Sequence, residues 1–295
     1  MAMTEATGTQ PPAASRHLCI CADDFGMSAG INSAVFDLAE HGKISATSGM
    51  VRRSAWQDGA GTLRRFDASR LDVGLHLDLT RPAVADGAEP GLAGLIARTC
   101  MRTVDAQALR ADIRDQLDRF EDAMGCPPAF VDGHRHVHQL PVVRELLVEE
   151  IVRRYPMPRP WLRCTAAAAP GAAAGGIKAG IIHALGGASL RALARQHGIP
   201  VSRGLLGVYD FSGSAADYRR RLSAWITASR SGDVLMCHPS AGLLPSDPHG
   251  AARLHEYAVL RELKVPVSTP SGEVDIAPLS RMLRIDEPAF AQAAE

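Results

Sequence analysis
The chain has 295 residues, 46% of them hydrophobic, with 32 Lys+Arg set against 32 Asp+Glu. That supplies apolar material for a large core in one or two domains. The zero formal charge excludes the basic footprint of a nucleic-acid binder and a polybasic membrane-surface protein, and the composition excludes collagen-like, coiled-coil and wholly disordered chains.

Residues 1–16 lack a basic segment followed by an apolar one, so a polar tail without a secretory signal is expected. No run of about 18 strongly apolar residues predicts a transmembrane helix. The nearest stretch, 166–188, is Ala/Gly-rich, contains Pro170 and Lys178, and is expected to be a flexible, lid-like segment. The six cysteines (19, 21, 100, 126, 164 and 237) form no C-x-x-C pair, which points to a reducing cytoplasm rather than a disulfide framework.

From residue 18 strand and helix signals alternate. Residues 18–22 form an apolar run read as a strand. Ile31, Ala34, Val35, Leu38 and Ala39 then recur at helical spacing, with Ser28 as N-cap and Gly42 beyond the end. A strand follows at 71–77. Leu109, Ile113, Leu117, Phe120 and Met124 form a helical stripe that Gly125, Pro127 and Pro128 stop. Residues 129–131 read as a strand, and Pro141 as the first turn of a helix carrying Val143, Leu146, Leu147 and Ile151. Residues 161–164 read as a strand, 190–197 as a helix and 205–209 as a strand. A helix follows through Tyr218, Leu222, Trp225 and Ile226, then a strand at 233–237, a helix at 254–263 and a last strand at 265–268. Repeated β-then-α units predict one α/β domain. An open doubly wound sheet and a closed or partly closed barrel both fit this order.

Four polar motifs fall at the C-terminal ends of these strands: Asp23-Asp24-Phe25-Gly26, Gly74-Leu75-His76-Leu77, Asp132-Gly133-His134-Arg135-His136-Val137-His138, and Cys237-His238-Pro239. That end of a barrel carries the active site, so the motif positions favour the barrel. Five of the eleven histidines lie in these motifs, more than scattering would place there, so distant segments are expected to converge on one site. Asp23 and Asp24 straight after an apolar strand need partners if buried, which a divalent cation would supply; alone, either serves equally as a helix cap. His134, His136 and His138 share a face if the strand continues and diverge if the chain turns before Pro141. His76, by itself an ordinary core histidine, gains weight because Asp24 and His134 are compatible ligands: one carboxylate and two imidazoles leave positions open for water and substrate. Pro239 restricts the backbone of His238, which suits a general acid facing the metal. Arg163, at a strand end, is read either as a substrate contact or as a partner for a surface carboxylate. Tyr209-Asp210-Phe211 is placed at the mouth of the site, and His249 and His255 are read as structural.

At these motifs the sequence resembles the YdjC-like carbohydrate deacetylases, of the ChbG and HpnK type. The resemblance runs through ADDFG, GLHLDLT, VDGHRHVHQLP and LMCHP in that order, over residues 18–267. It implies a distorted (β/α) barrel, and the domain is expected at 17–285, between a disordered N-terminal tail at 1–16 and a C-terminal tail at 286–295. It also implies a metal-dependent hydrolase that removes the acetyl group from an N-acetylated sugar, an N-acetylglucosamine-containing oligosaccharide or glycolipid. Carried over by motif, Asp24, His76 and His134 are the metal ligands, Asp23 the general base and His238 the catalytic acid, with His138 a nearby polar residue. Arg163, from its strand-end position, and His138 are expected on the substrate-binding side. Magnesium is the cation the resemblance implies, while two imidazoles also suit zinc. A metal-dependent amidase or phosphoester hydrolase on a non-sugar substrate fits the same ligand set, and so, without catalysis, does a metal-stabilised sugar-binding domain. The balanced charge permits a homodimer.

Overall fold
Leu18, Cys19, Ile20, Cys21 and Ala22 are all fully buried, as a parallel strand covered on both faces requires. They belong to β1 (Arg16–Phe25) of a computed structural model that describes residues 15–80, 91–166, 168, 184–243 and 247–285. In chain order there follow α1 (Ala29–Glu40), β2 (Ala46–Gly49), α2 (Trp56–Leu63), β3 (Asp72–Leu77), α3 (Leu92–Cys100), α4 (Ala106–Met124), β4 (Phe130–Gly133), a 3₁₀ segment (His134–Gln139) and α5 (Val143–Arg154). Next come β5 (Trp161–Leu162), α6 (Gly187–Gln196), β6 (Leu205–Leu206), α7 (Ala215–Ala228), β7 (Val234–Cys237), α8 (Gly250–Arg261), β8 (Val267–Thr269), β9 (Gly272–Ile276) and α9 (Leu279–Ile285).

The sheet runs β5-β4-β3-β2-β1-β7-β6 with every neighbouring pair parallel. It curls, because residues 200–206 touch both edges. Val201 bridges Leu162 on β5, while Leu205 and Leu206 pair with Val234 and Leu235 on β7. The ladder itself is not closed; an irregular stretch completes the ring, which makes the barrel a distorted one. A β8–β9 hairpin is added at the start of β1.

The period of two along each strand sorts the core. On β1, Leu18, Ile20 and Ala22 pack with the helices, whereas Cys19 and Cys21 join Ala46, Phe130, Trp161 and Val234 inside the ring. Phe130 and Trp161 stack there at 4.2 Å. Gly74 makes room for them, since a Cβ at that position would lie 2.5 Å from the Phe130 ring. Continuing the same parity upward gives Asp23, Ser48, His76, Asp132 and Arg163 as the next inward residues. The barrel therefore has an apolar floor and a polar upper layer.

The helices end and begin for local reasons. Ser28 caps α1 by accepting the Ile31 N–H at 3.3 Å, an interaction worth about 1 kcal/mol. Gly125, at φ +71, ends α4 in the left-handed conformation. Several expectations change. The strand expected at 265–268 is β8, and it is not the last, because β9 and α9 follow. Pro141 precedes α5, which starts at Val143 after Val142 turns with φ +66. Most of 166–188 lies outside the described residues, as do the tails 1–14 and 286–295, and its last two residues open α6. No described helix is long and apolar enough to cross a membrane.

Candidate active site
Two adjacent residues of a strand point to opposite faces, yet Asp23 and Asp24 both reach one site. The reason is local. The β1–β2 register shifts between Ala22 and Phe25, and Asp24 takes φ +67. A bulge of this kind re-aims a side chain, and Asp tolerates the left-handed region better than most residues. Both carboxylates are almost wholly buried, at 2% exposure.

Asp24 gathers two imidazoles. Its Oδ1 lies 3.1 Å from His134 Nδ1 and 3.4 Å from His76 Nε2, and one ligand atom from each of the three residues falls within 4.8 Å of the others. Asp24 Oδ2 is taken by Arg253 at 2.6 Å, so Oδ1 is the oxygen presented to the imidazoles. His76 is oriented from behind: Nδ1–H donates to Asp132 Oδ1 at 2.7 Å, and Ser48 Oγ lies 3.0 Å from the same nitrogen. That bond, the usual partner of a metal-ligating imidazole, assigns the proton to Nδ1 and directs Nε2 towards Asp24. Burial works against charge on His76, but Asp132 and Asp24 outweigh it and push its pKa up to about 10. Burial likewise works against ionisation of Asp24; hydrogen bonds from His134 and His76 and the charge of Arg253 hold it well below the carboxylate range.

These residues fit a divalent cation. Two imidazole nitrogens and one carboxylate oxygen converge from three strand ends, and His134 is partly exposed. Four carboxylates (Asp23, Asp24, Asp132 and Asp247) face two guanidinium groups (Arg163 and Arg253). With His76 deprotonated as a ligand, the excess negative charge in this buried layer is what a bound cation would balance.

Asp23 stands beside this group. Arg163 donates to both of its oxygens at 2.6 Å and reaches Asp132 Oδ2 at 2.6 Å. Ser48 Oγ adds a contact at 3.3 Å. Burial would raise the Asp23 pKa, but Arg163 overrides it and keeps the carboxyl ionised. His238 Nε2 lies 4.0 Å from Asp23 Oδ2. Burial pushes His238 down to about 4, so it is neutral near pH 7. A continuous polar chain thus joins the two halves of the site: His76, Asp132, Arg163, Asp23, His238.

Asp23, Asp24, His76, His134 and His238 are therefore brought together as the motifs predict. Arg163 and His138 are not at the mouth. Arg163 is fully buried beneath the carboxylates, because residue 163 continues the inward parity of Trp161 and meets Asp23 and Asp132. His138 is also fully buried, and its Nε2–H donates to the Arg163 carbonyl at 2.9 Å. The three histidines diverge, because β4 ends at Gly133 and Arg135 and His136 turn through φ +53 and +61. Phe211 does border the site, edge-on to His238 with ring centroids 5.1 Å apart, and His249 stacks on it at 4.1 Å.

Four residues were not foreseen: Ser48, Asp132, Arg253 and Glu256. Asp132 sat inside a motif but carried no assigned role. Arg253 and Glu256 share the buried stripe of α8 with Ala252, Val259 and Leu260, and charged side chains on an apolar helical face are a readable signal of buried ion pairing.

A family model described as YdjC-like protein matches residues 17–267. A chitooligosaccharide deacetylase of Serratia marcescens is 34% identical over 138 residues, covering 44% of this chain and 53% of that protein. One from Enterobacter sp. (strain 638) is 30% identical over 144 residues, with coverage of 46% and 56%. The chain spans about half the length of these curated relatives. Among solved structures, a protein of Enterococcus faecalis V583 named for a proposed role in cellobiose-phosphate cleavage superposes with a TM-score of 0.66 at 17% identity, over 91% of this chain and 99% of that one. An uncharacterised protein of Agrobacterium tumefaciens C58 gives 0.51 at 14% identity, over 94% and 92%. These two likenesses show the fold.

Proposed function
The chain belongs to the YdjC-like family, and from that premise we propose that it is a metal-dependent carbohydrate N-deacetylase. It hydrolyses the acetamide of an N-acetylglucosamine-containing oligosaccharide or glycolipid to acetate and a free amino sugar. The observation that carries this reading is the meeting of Asp24, His76 and His134 around one point, with Asp23 and His238 beside them, 4.0 Å apart. The names of the two relatives support the sugar substrate.

Asp24, His76 and His134 would hold the cation, magnesium as the family resemblance implies or zinc as the imidazoles suit. Once bound, it supplies Lewis acidity that polarises the amide carbonyl and acidifies a water. The chain's own residues handle the proton. Asp23 is kept ionised and fixed by the Arg163 fork, so it accepts a proton from the water as the water oxygen bonds to the acyl carbon. His238 is neutral before the reaction, and its Nε2 lies close to Asp23 Oδ2. The proton taken from the water passes to this imidazole and from it to the amine nitrogen as the C–N bond breaks. One proton is taken and one delivered.

Mass-spectrometric screening for loss of an acetyl group across N-acetylglucosamine conjugates, with and without added Mg²⁺ or Zn²⁺, tests the reading. Metal-dependent loss of acetyl from at least one conjugate is expected. Hydrolysis of phosphoesters with no acetyl loss from any conjugate would overturn it.

A further inference from the structure
Glu256 is a fully buried carboxylate that touches no group changed by the proposed reaction. It nevertheless has two specific partners. One oxygen accepts the backbone N–H of His238 at 2.5 Å, and the other accepts the Tyr209 hydroxyl at 2.6 Å. Burying an acid is costly, and here burial pushes the Glu256 pKa up to about 7. The position explains the need. β7 ends at Cys237, so the His238 N–H goes to Glu256 rather than to a neighbouring strand. The next residue, Pro239, has no N–H to contribute. One turn earlier on the same helical face, Arg253 binds Asp24 Oδ2 at 2.6 Å and reaches the His238 carbonyl at 3.4 Å. α8 therefore grips the peptide units on both sides of the His238 side chain.

We propose that Glu256 is a positioning residue: it fixes the His238 imidazole through its backbone and so sets proton delivery to the leaving nitrogen. This inference rests on the reading of His238 as the proton carrier. A defect in proton delivery has a signature that general loosening lacks. An amide needs its leaving nitrogen protonated, whereas an aryl ester expels a phenolate without help. Glutamine keeps one acceptor oxygen for the His238 N–H and offers an amide N–H to the Tyr209 oxygen; methionine keeps the bulk and removes both acceptors.

The test compares metal-loaded wild type, Glu256→Gln and Glu256→Met on N,N′-diacetylchitobiose and on 4-nitrophenyl acetate, together with hydrogen exchange at the His238 amide. In Glu256→Met, kcat on the amide falls about 10–100-fold, a part of the roughly 10²–10⁴-fold that a general acid contributes when fully in place, while KM and aryl-ester turnover stay within a few-fold and the His238 amide loses protection. Glu256→Gln recovers most of the amide turnover and the protection. Equal losses on both substrates, a Gln variant as impaired as the Met variant, or unchanged exchange at His238 would overturn the proposal. If the Met variant does not fold, Tyr209→Phe is read in the same way, with a smaller amide-selective loss expected and an unselective one contradicting it. Wild type inactive on every N-acetyl sugar would count against the functional reading, and the exchange measurement would still decide the anchor.

Discussion
Asp23 and Arg163 meet through two hydrogen bonds of 2.6 Å, with the side chains only 3% and 1% exposed. Arg163 also binds Asp132, which in turn holds His76. One guanidinium thus supports both the proposed base and the residue behind a proposed metal ligand. Replacing it by methionine leaves Asp23 buried without its counter-ion and Asp132 with His76 alone. We expect Arg163→Met to lose about 3–5 kcal/mol of stability, the cost of breaking a buried pair from one side, read from urea unfolding. A loss below about 1 kcal/mol, as for a surface pair, would contradict this arrangement.

Asp23 and Asp24 are neighbours with separate work in the proposed reaction. Asp23→Asn should keep the cation and lose about 10²–10⁴-fold in acetate release, the contribution of a general base. Asp24→Asn, His76→Ala and His134→Ala should lose the cation first. Metal analysis of each purified variant beside its turnover separates the two classes. Full activity in Asp23→Asn would remove it from the role of base.

Asp132 reaches the cation only through His76. Asp132→Asn should weaken metal affinity about 10–100-fold, as loss of a carboxylate behind a metal-ligating histidine does. Competition against a metal-sensitive dye measures this. Unchanged affinity would mean that the His76–Asp132 bond has no part in shaping the site.

The stripped protein should lose stability on the alkaline side. His76 has its pKa raised from 6.5 to about 10. A group raised on folding stabilises fully below its unfolded value, and that stabilisation is lost as pH climbs through the folded value. The window is therefore about pH 6.5 to 10, where chelator-treated protein should show falling urea midpoints. His76→Gln should flatten that limb. A wild-type profile flat across the window would contradict the charged state of His76 in the free protein.

The fold was legible where strands are strongly apolar. β1, β4 and β7 announce themselves by consecutive buried apolar residues and β3 by the alternation of Leu75 and Leu77, and each delivers its motif to the same rim. β2 was missed because Ala-Thr-Ser-Gly has no apolar run, although it is the central partner of β1 and β3 and carries Ser48. The divergence of His134, His136 and His138 depends on two left-handed residues at Arg135 and His136, a conformation that neither residue type signals. The chain position of Arg163 alone places it at a strand end; its parity with Trp161 is what puts it inside the ring, facing the inward carboxylates of β1 and β4. The site is thus readable as motifs, while the buried pairs that orient it depend on tertiary register.

The most direct measurement is anomalous diffraction at the zinc edge from crystals of the zinc-loaded protein. The account predicts one dominant peak about 2.0–2.2 Å from Asp24 Oδ1, His76 Nε2 and His134 Nδ1. A dominant peak elsewhere, such as among Cys21, Asp23 and Asp132, the other buried cluster able to hold an ion among the described residues, would contradict it.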